Sequence, residues 1–179
     1  MQPQRHSPLV VYSALAGAVL IWGFNSGQSH AAATQAVQAT LKDASGTVFG
    51  TVKLTEQGET VSGVVDVKGL PPGGHGMHIH EVGKCDGPDF KTAGAHLNPD
   101  HKQHGLENPL GPHQGDVPQL TVGPDGRGHA IFTAKTTMAA IMDADGSSFV
   151  IHAAPDDNKT DPSGNSGARI LCGVLTPTA

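Results

Sequence analysis

The feature that most constrains this chain is a strict alternation of apolar and polar residues between positions 37 and 67. Val37, Ala39 and Leu41 fall on one face of an extended segment, with Gln38, Thr40 and Lys42 on the other. Val48, Gly50, Val52 and Leu54 repeat the phase, and so do Val61, Gly63, Val65 and Val67. A period of two puts one face against a core and the other in water, the mark of antiparallel sheet. Ala44-Ser45-Gly46, Gln57-Gly58-Glu59 and Leu70-Pro71-Pro72-Gly73-Gly74 separate the runs as turns. Further short strands are expected at Met77–His80, Leu120–Val122 and residues 129–133, 149–152 and 168–175. With 24 glycines, 13 prolines and 4% aromatic residues, the chain has little from which to build long amphipathic helices. The fold class is all-β, a sandwich or flattened barrel of about eight antiparallel strands. Two stretches, 81–118 and 153–167, fit no strand, and loops of this length in a compact domain are usually functional.

The first 33 residues read as an export signal. Arg5 gives a small positive start, an apolar run extends from Leu9 to Phe24, and Ala31-Ala32-Ala33 offers small residues for cleavage. The apolar run is shorter than the roughly 20 residues a helix needs to cross a bilayer, so no stable membrane anchor is expected. Residues 34–179 then form the one folded domain, placed in the periplasm or secreted. Its acidic balance, a net charge of −5 for the whole chain, excludes nucleic acid as a natural partner. Only two cysteines are present, Cys85 and Cys172. In an oxidising compartment such a pair reads as a disulfide, and a loop this long contributes about 4–5 kcal/mol by chain entropy when closed.

Histidine carries the chemistry. His78 and His80 form a His-x-His pair on a candidate strand, where alternation puts both imidazoles on one face to share an ion. The first long loop holds His96, His104, His113 and Asp116 among glycines and prolines, and three imidazoles with one carboxylate suit tetrahedral zinc. His152 ends the strand Phe149-Val150-Ile151-His152, on the same face as Val150. Alone, such a histidine fits a packed position as well as a ligand.

Six segments in order resemble the copper–zinc superoxide dismutase family: Gly76-Met77-His78-Ile79-His80-Glu81, Ala93-Gly94-Ala95-His96-Leu97-Asn98-Pro99, Gln103-His104-Gly105, Gly111-Pro112-His113-Gln114-Gly115-Asp116, Phe149-Val150-Ile151-His152 with Asp156-Asp157, and Gly164-Asn165-Ser166-Gly167-Ala168-Arg169-Ile170-Leu171-Cys172-Gly173. The resemblance spans residues 37–175 and implies a Greek-key β-barrel of antiparallel strands. It implies copper held by His78, His80, His96 and His152. It implies zinc held by His96, His104, His113 and Asp116, with His96 bridging the two. His101 competes for the zinc role, but the context of His104 matches better. Asp156 resembles the carboxylate that orients one ligand of each metal, Cys85 and Cys172 the intrasubunit disulfide, and Arg169 the arginine beside copper.

The activity implied is dismutation of superoxide anion to oxygen and hydrogen peroxide. His96 would serve as proton carrier and Arg169 as the docking cation. Homodimers are usual in the family. Residues 86–91 lengthen the path from Cys85 to His96 relative to animal members, which with the export signal resembles the bacterial secreted or periplasmic type. Lys159 is the candidate for positive charge near the entrance, and His75, His101 and His129 are expected at the surface. The rival reading is a non-catalytic exported copper- and zinc-binding protein on the same fold.

Overall fold

The computed structural model describes residues 35–178; the expected signal segment lies outside them. Ten stretches are extended: Ala36–Lys42 (β1), Val48–Gln57 (β2), Thr60–Lys68 (β3), Gly73–His75 (β4), Met77–His80 (β5), Leu120–Val122 (β6), Arg127–Ala134 (β7), Ser148–His152 (β8), Arg169–Val174 (β9) and Thr176–Pro177 (β10). All neighbours pair antiparallel, in the order β4-β6-β7-β3-β2-β1-β9-β8-β5, with β10 added to β1. Only Gly76 separates β4 from β5, so one stretch of chain forms both ends of that order and closes the sheet into a barrel. Leu175 likewise interrupts β9 and β10. Joining these pieces leaves eight strands, the number expected from the turns. The topology is a Greek key: after β3 the chain skips two positions, which β6 and β7 return to fill.

Alternation does what it implied in β1 and β3. Val37, Ala39 and Leu41 meet Val61, Val65 and Val67 inside the barrel, with Leu54, Met77, Ile79, Phe132, Phe149, Ile151 and Leu171. Each fully buried aliphatic or aromatic side chain contributes about 1.5–3 kcal/mol relative to exposure. Gly63 is in phase with this core because a Cβ there would overlap the ring of Phe132 opposite. In β2 the phase breaks. Leu41 pairs with Gly50 but Lys42 with Val48, leaving Phe49 as the extra residue of a bulge. Val48, expected inward, is therefore 52% exposed. A four-residue helix, Met138–Ile141 (α1), capped by the Thr137 side chain at Ala140 N–H, was too short to show as a period.

The long loop is pinned to the edge of β5. Ile79 donates to Gly115 O and accepts from Leu97 N–H, while Glu81 donates to Ala95 O. The Cys85–Cys172 disulfide ties the same loop to β9, with Cα atoms 5.7 Å apart. Phe90, Ala93, Val150 and Cys172 pack together under it as a second apolar cluster.

Candidate metal centre

Alternation along β5 sends Met77 and Ile79 into the barrel and His78 and His80 to its outer wall. All four are buried, because the long loops roof that wall. His152 ends β8 on the same wall, which resolves the face left open by sequence. His96 descends from the loop, where an isolated bridge sets it opposite His80. The His78 and His96 rings stack with centroids 3.8 Å apart, and His152 lies 4.9 Å from His78. Nδ1 of His78 and Nε2 of His80, His96 and His152 are buried without a hydrogen-bond partner. An orphaned buried polar atom costs about 1–3 kcal/mol. One atom from each of these four residues lies within 4.8 Å of the others, and they suit a copper ion.

Behind them lies a second group. Asp116 Oδ1 is 3.0 Å from His96 Nδ1, 2.9 Å from His104 Nδ1 and 3.4 Å from His113 Nδ1. His96 and His113 Nδ1 are also 3.4 Å apart. Tetrahedral zinc with ligands at about 2.0 Å requires ligand–ligand edges of about 3.3 Å, so the set fits that ion. His78 also approaches His96, His104 and Asp116, but its Nε2 is engaged by Asp156 at 2.6 Å; His113 completes the second group. Asp116 Oδ2 accepts from the backbone of Gly105 and His113, each at 2.9 Å.

Outward-facing nitrogens fix the rings. Asp156 accepts from His78 Nε2 at 2.6 Å and His104 Nε2 at 3.0 Å, Gly94 O from His80 Nδ1 at 3.0 Å, and Gly167 O from His152 Nδ1 at 3.3 Å. An N–H donated outward leaves the inward nitrogen with a lone pair for a metal. His96 is different: its Nδ1 faces the second group and its Nε2 the first. Gly164 makes room for this arrangement, since a Cβ there would overlap the Asp156 carboxylate and crowd His104.

Electrostatics follow burial. Desolvation pushes His78 down to about 3 and His152 to about 4, and lowers His80 and His96 as well, so these imidazoles are neutral donors. Burial also opposes charge on His104, but bonds to Asp116 and Asp156 outweigh it and raise the group to about 9. Burial raises Asp116 too, yet its bonds to His104, His113 and His96 hold it well below the usual carboxylate range.

Arg169 begins β9 at the rim. Its Nη1 donates to Phe90 O and its Nη2 to Gly94 O, both at 2.7 Å, so one carbonyl serves the guanidinium and His80 together. Phe90 is buried with φ 52°, a left-handed conformation rare for an aromatic residue. Pro88, Asp89, Lys91, Gly167, Ala168 and Arg169 line a shallow pocket there. Lys159, expected near the entrance, instead pairs with Glu107 at 3.0 Å.

The structure brings His78, His80, His96 and His152 together, and His96, His104 and His113 around Asp116. His101 is exposed and takes no part, as is His129, which pairs with Asp66 at 2.7 Å. His75 departs from expectation. It is buried, with Nδ1 2.7 Å from His152 O and Nε2 3.0 Å from Pro71 O, because closure at Gly76 carries β4 against β8. Sequence reasoning also missed Phe90, Gly94 and Asp161, whose backbone or loop contacts carry no residue-type signal.

An antiparallel barrel with two abutting groups of buried imidazoles on its wall and a guanidinium at the rim has the ligand sets of a metal-binding protein. Comparison with known proteins identifies which. Residues 48–175 match the family model for copper/zinc superoxide dismutase. The chain is 43% identical over 145 residues to a Cu-Zn superoxide dismutase of Caulobacter vibrioides, covering 76% of this chain and 83% of that protein. It is 48% identical over 118 residues to the superoxide dismutase-like protein YojM of Bacillus subtilis, covering 62% and 60% respectively. The crystal structure of a SOD-like protein from Bacillus subtilis superposes with a TM-score of 0.72 at 40% identity, covering 78% of this chain and 97% of that one. The chain belongs to the copper/zinc superoxide dismutase family, whose metals are copper and zinc.

Proposed function

We propose that this protein is an exported superoxide dismutase, with residues 1–33 as its signal and residues 34–179 as its working domain. The observation that carries the reading is the pair of metal-sized groups sharing His96, with four nitrogens facing the first group that lack any other partner. His78, His80, His96 and His152 would hold copper; His96, His104, His113 and Asp116 would hold zinc. When bound, copper supplies reversible one-electron transfer, so that two superoxide anions and two protons yield oxygen and hydrogen peroxide.

The residues do the rest. Arg169, fixed by two carbonyls, presents a permanent charge that docks the anion and orients it. His96 Nε2 faces the copper group with no other partner and would carry a proton to the reduced substrate, while its Nδ1 faces the zinc group. Asp156 holds His78 and His104 at fixed angles throughout. The disulfide supports the assignment to an oxidising compartment, and no helix among the described residues is long and apolar enough to cross a membrane.

The non-catalytic reading draws on the likeness to the superoxide dismutase-like Bacillus protein. The complete histidine set with Arg169 favours the enzyme. The deciding experiment measures superoxide consumption and metal content on one purified sample. Fast consumption with about one copper and one zinc per chain supports the enzyme, whereas both metals bound without consumption refutes it in favour of the carrier.

A further inference from the structure

The loop over residues 153–167 supplies a second acidic group to the zinc site besides Asp156. Asp161 Oδ1 accepts the backbone N–H of His104 at 2.6 Å and lies 3.7 Å from Nε2 of His113. His104 is thereby gripped twice by the same loop, through its ring by Asp156 and through its backbone by Asp161. His113 is the zinc-set histidine whose outward nitrogen has no nearer acceptor. A small ring movement brings 3.7 Å to hydrogen-bond contact. Each other non-bridging imidazole already has an oxygen on its outer nitrogen.

The surrounding contacts make Asp161 part of a lock between the two loops. Glu107 N–H donates to Asn158 O, and the Asn108 side chain donates to Lys159 O. The Asn108 side chain also donates to His104 O at 2.9 Å. Asp161 differs in lying beside both His104 and His113.

We propose that Asp161 is a positioning residue for the zinc site, orienting His113 and fixing the backbone of His104, so that it governs how tightly zinc is retained. The proposal rests on the zinc assignment made above, and its test separates the two. Zinc affinity is measured by competition with a chelator on the disulfide-intact mature protein, for the wild type, Asp161→Ala and Asp161→Asn. Outer partners of metal ligands typically contribute about 10–100-fold to affinity. The expected result is a loss of that size in Asp161→Ala, partly restored by Asp161→Asn, which keeps an oxygen for the His104 N–H but carries no charge. Thermal unfolding of the metal-free forms should then be alike, and absorption of cobalt placed in the zinc site should report altered geometry in Asp161→Ala. Zinc affinity within about twofold of wild type, or an equal loss of metal-free stability that accounts for the change, overturns the role of Asp161. A wild type that binds no zinc at this site overturns the earlier assignment instead.

Discussion

Replacing Asp156 by alanine tests how the two metal sites depend on their common support. The carboxylate accepts three hydrogen bonds: from His78 Nε2 at 2.6 Å, from Asn158 N–H at 2.7 Å and from His104 Nε2 at 3.0 Å. Its removal leaves two buried ring donors without an acceptor, a penalty of about 1–3 kcal/mol each, or about 2–6 kcal/mol for the assembled centre. The loss should divide unequally. His78 sits on β5, paired with Val150 of β8, so barrel backbone continues to aim its ring. His104 sits in a loop and depends on side chains to hold it. Zinc affinity should therefore fall about 10–100-fold and copper affinity less than about 10-fold. Asp156→Asn should behave similarly, because its amide sets a donor against one ring donor while preserving volume. Competition titrations with chelators of known affinity, one metal at a time, provide the assay. Zinc binding within about threefold of wild type, or an equal loss of both metals, would refute this division between strand and loop.

On the copper side, His152→Ala removes one nitrogen of the copper group and none of the zinc group; superoxide consumption should disappear while zinc content persists, and retained activity would contradict the copper assignment. Arg169→Ala should slow consumption about 10–100-fold, the worth of one charged hydrogen-bonding contact, and Arg169→Lys should recover only part because an ammonium cannot hold both carbonyls. Stopped-flow decay of superoxide would measure both. In the metal-free protein, His78 and His152 stand at about 3 and about 4 when folded, so the unfolded chain binds more protons below pH 6.5 and stability falls with acid. His104, raised to about 9, contributes stability fully present below pH 6.5 and lost as pH climbs toward 9. Metal-free unfolding temperatures should peak near neutrality and drop more steeply on the acid side; a steady rise from pH 7 to 9 would contradict this.

What the sequence determined by itself was the strand pattern and the candidate ligand set. Strict alternation in β1 and β3 sorts inward from outward residues without reference to the rest of the chain, and with the other short runs it pointed to a sandwich or flattened barrel of about eight strands. His78 and His80 were legible because two residues of pitch put both rings on one wall. His96, His104, His113, Asp116 and Arg169 were legible through ordered motifs, since metal sites restrict which side chains can serve. The tertiary structure alone decided the rest. Val48 is exposed because a bulge opposite Leu41 and Lys42 shifts β2 by one residue, a choice made by strand pairing and not by the segment's own pattern. His75 is buried because closure at Gly76 brings β4 against β8. Phe90 and Gly94 hold Arg169 through main-chain carbonyls, which every residue possesses and no residue type announces. Asp161 reaches His104 across 57 positions of chain. Local periodicity reports how a segment faces its core, whereas contacts between loops far apart in sequence exist only once the barrel has set both in place.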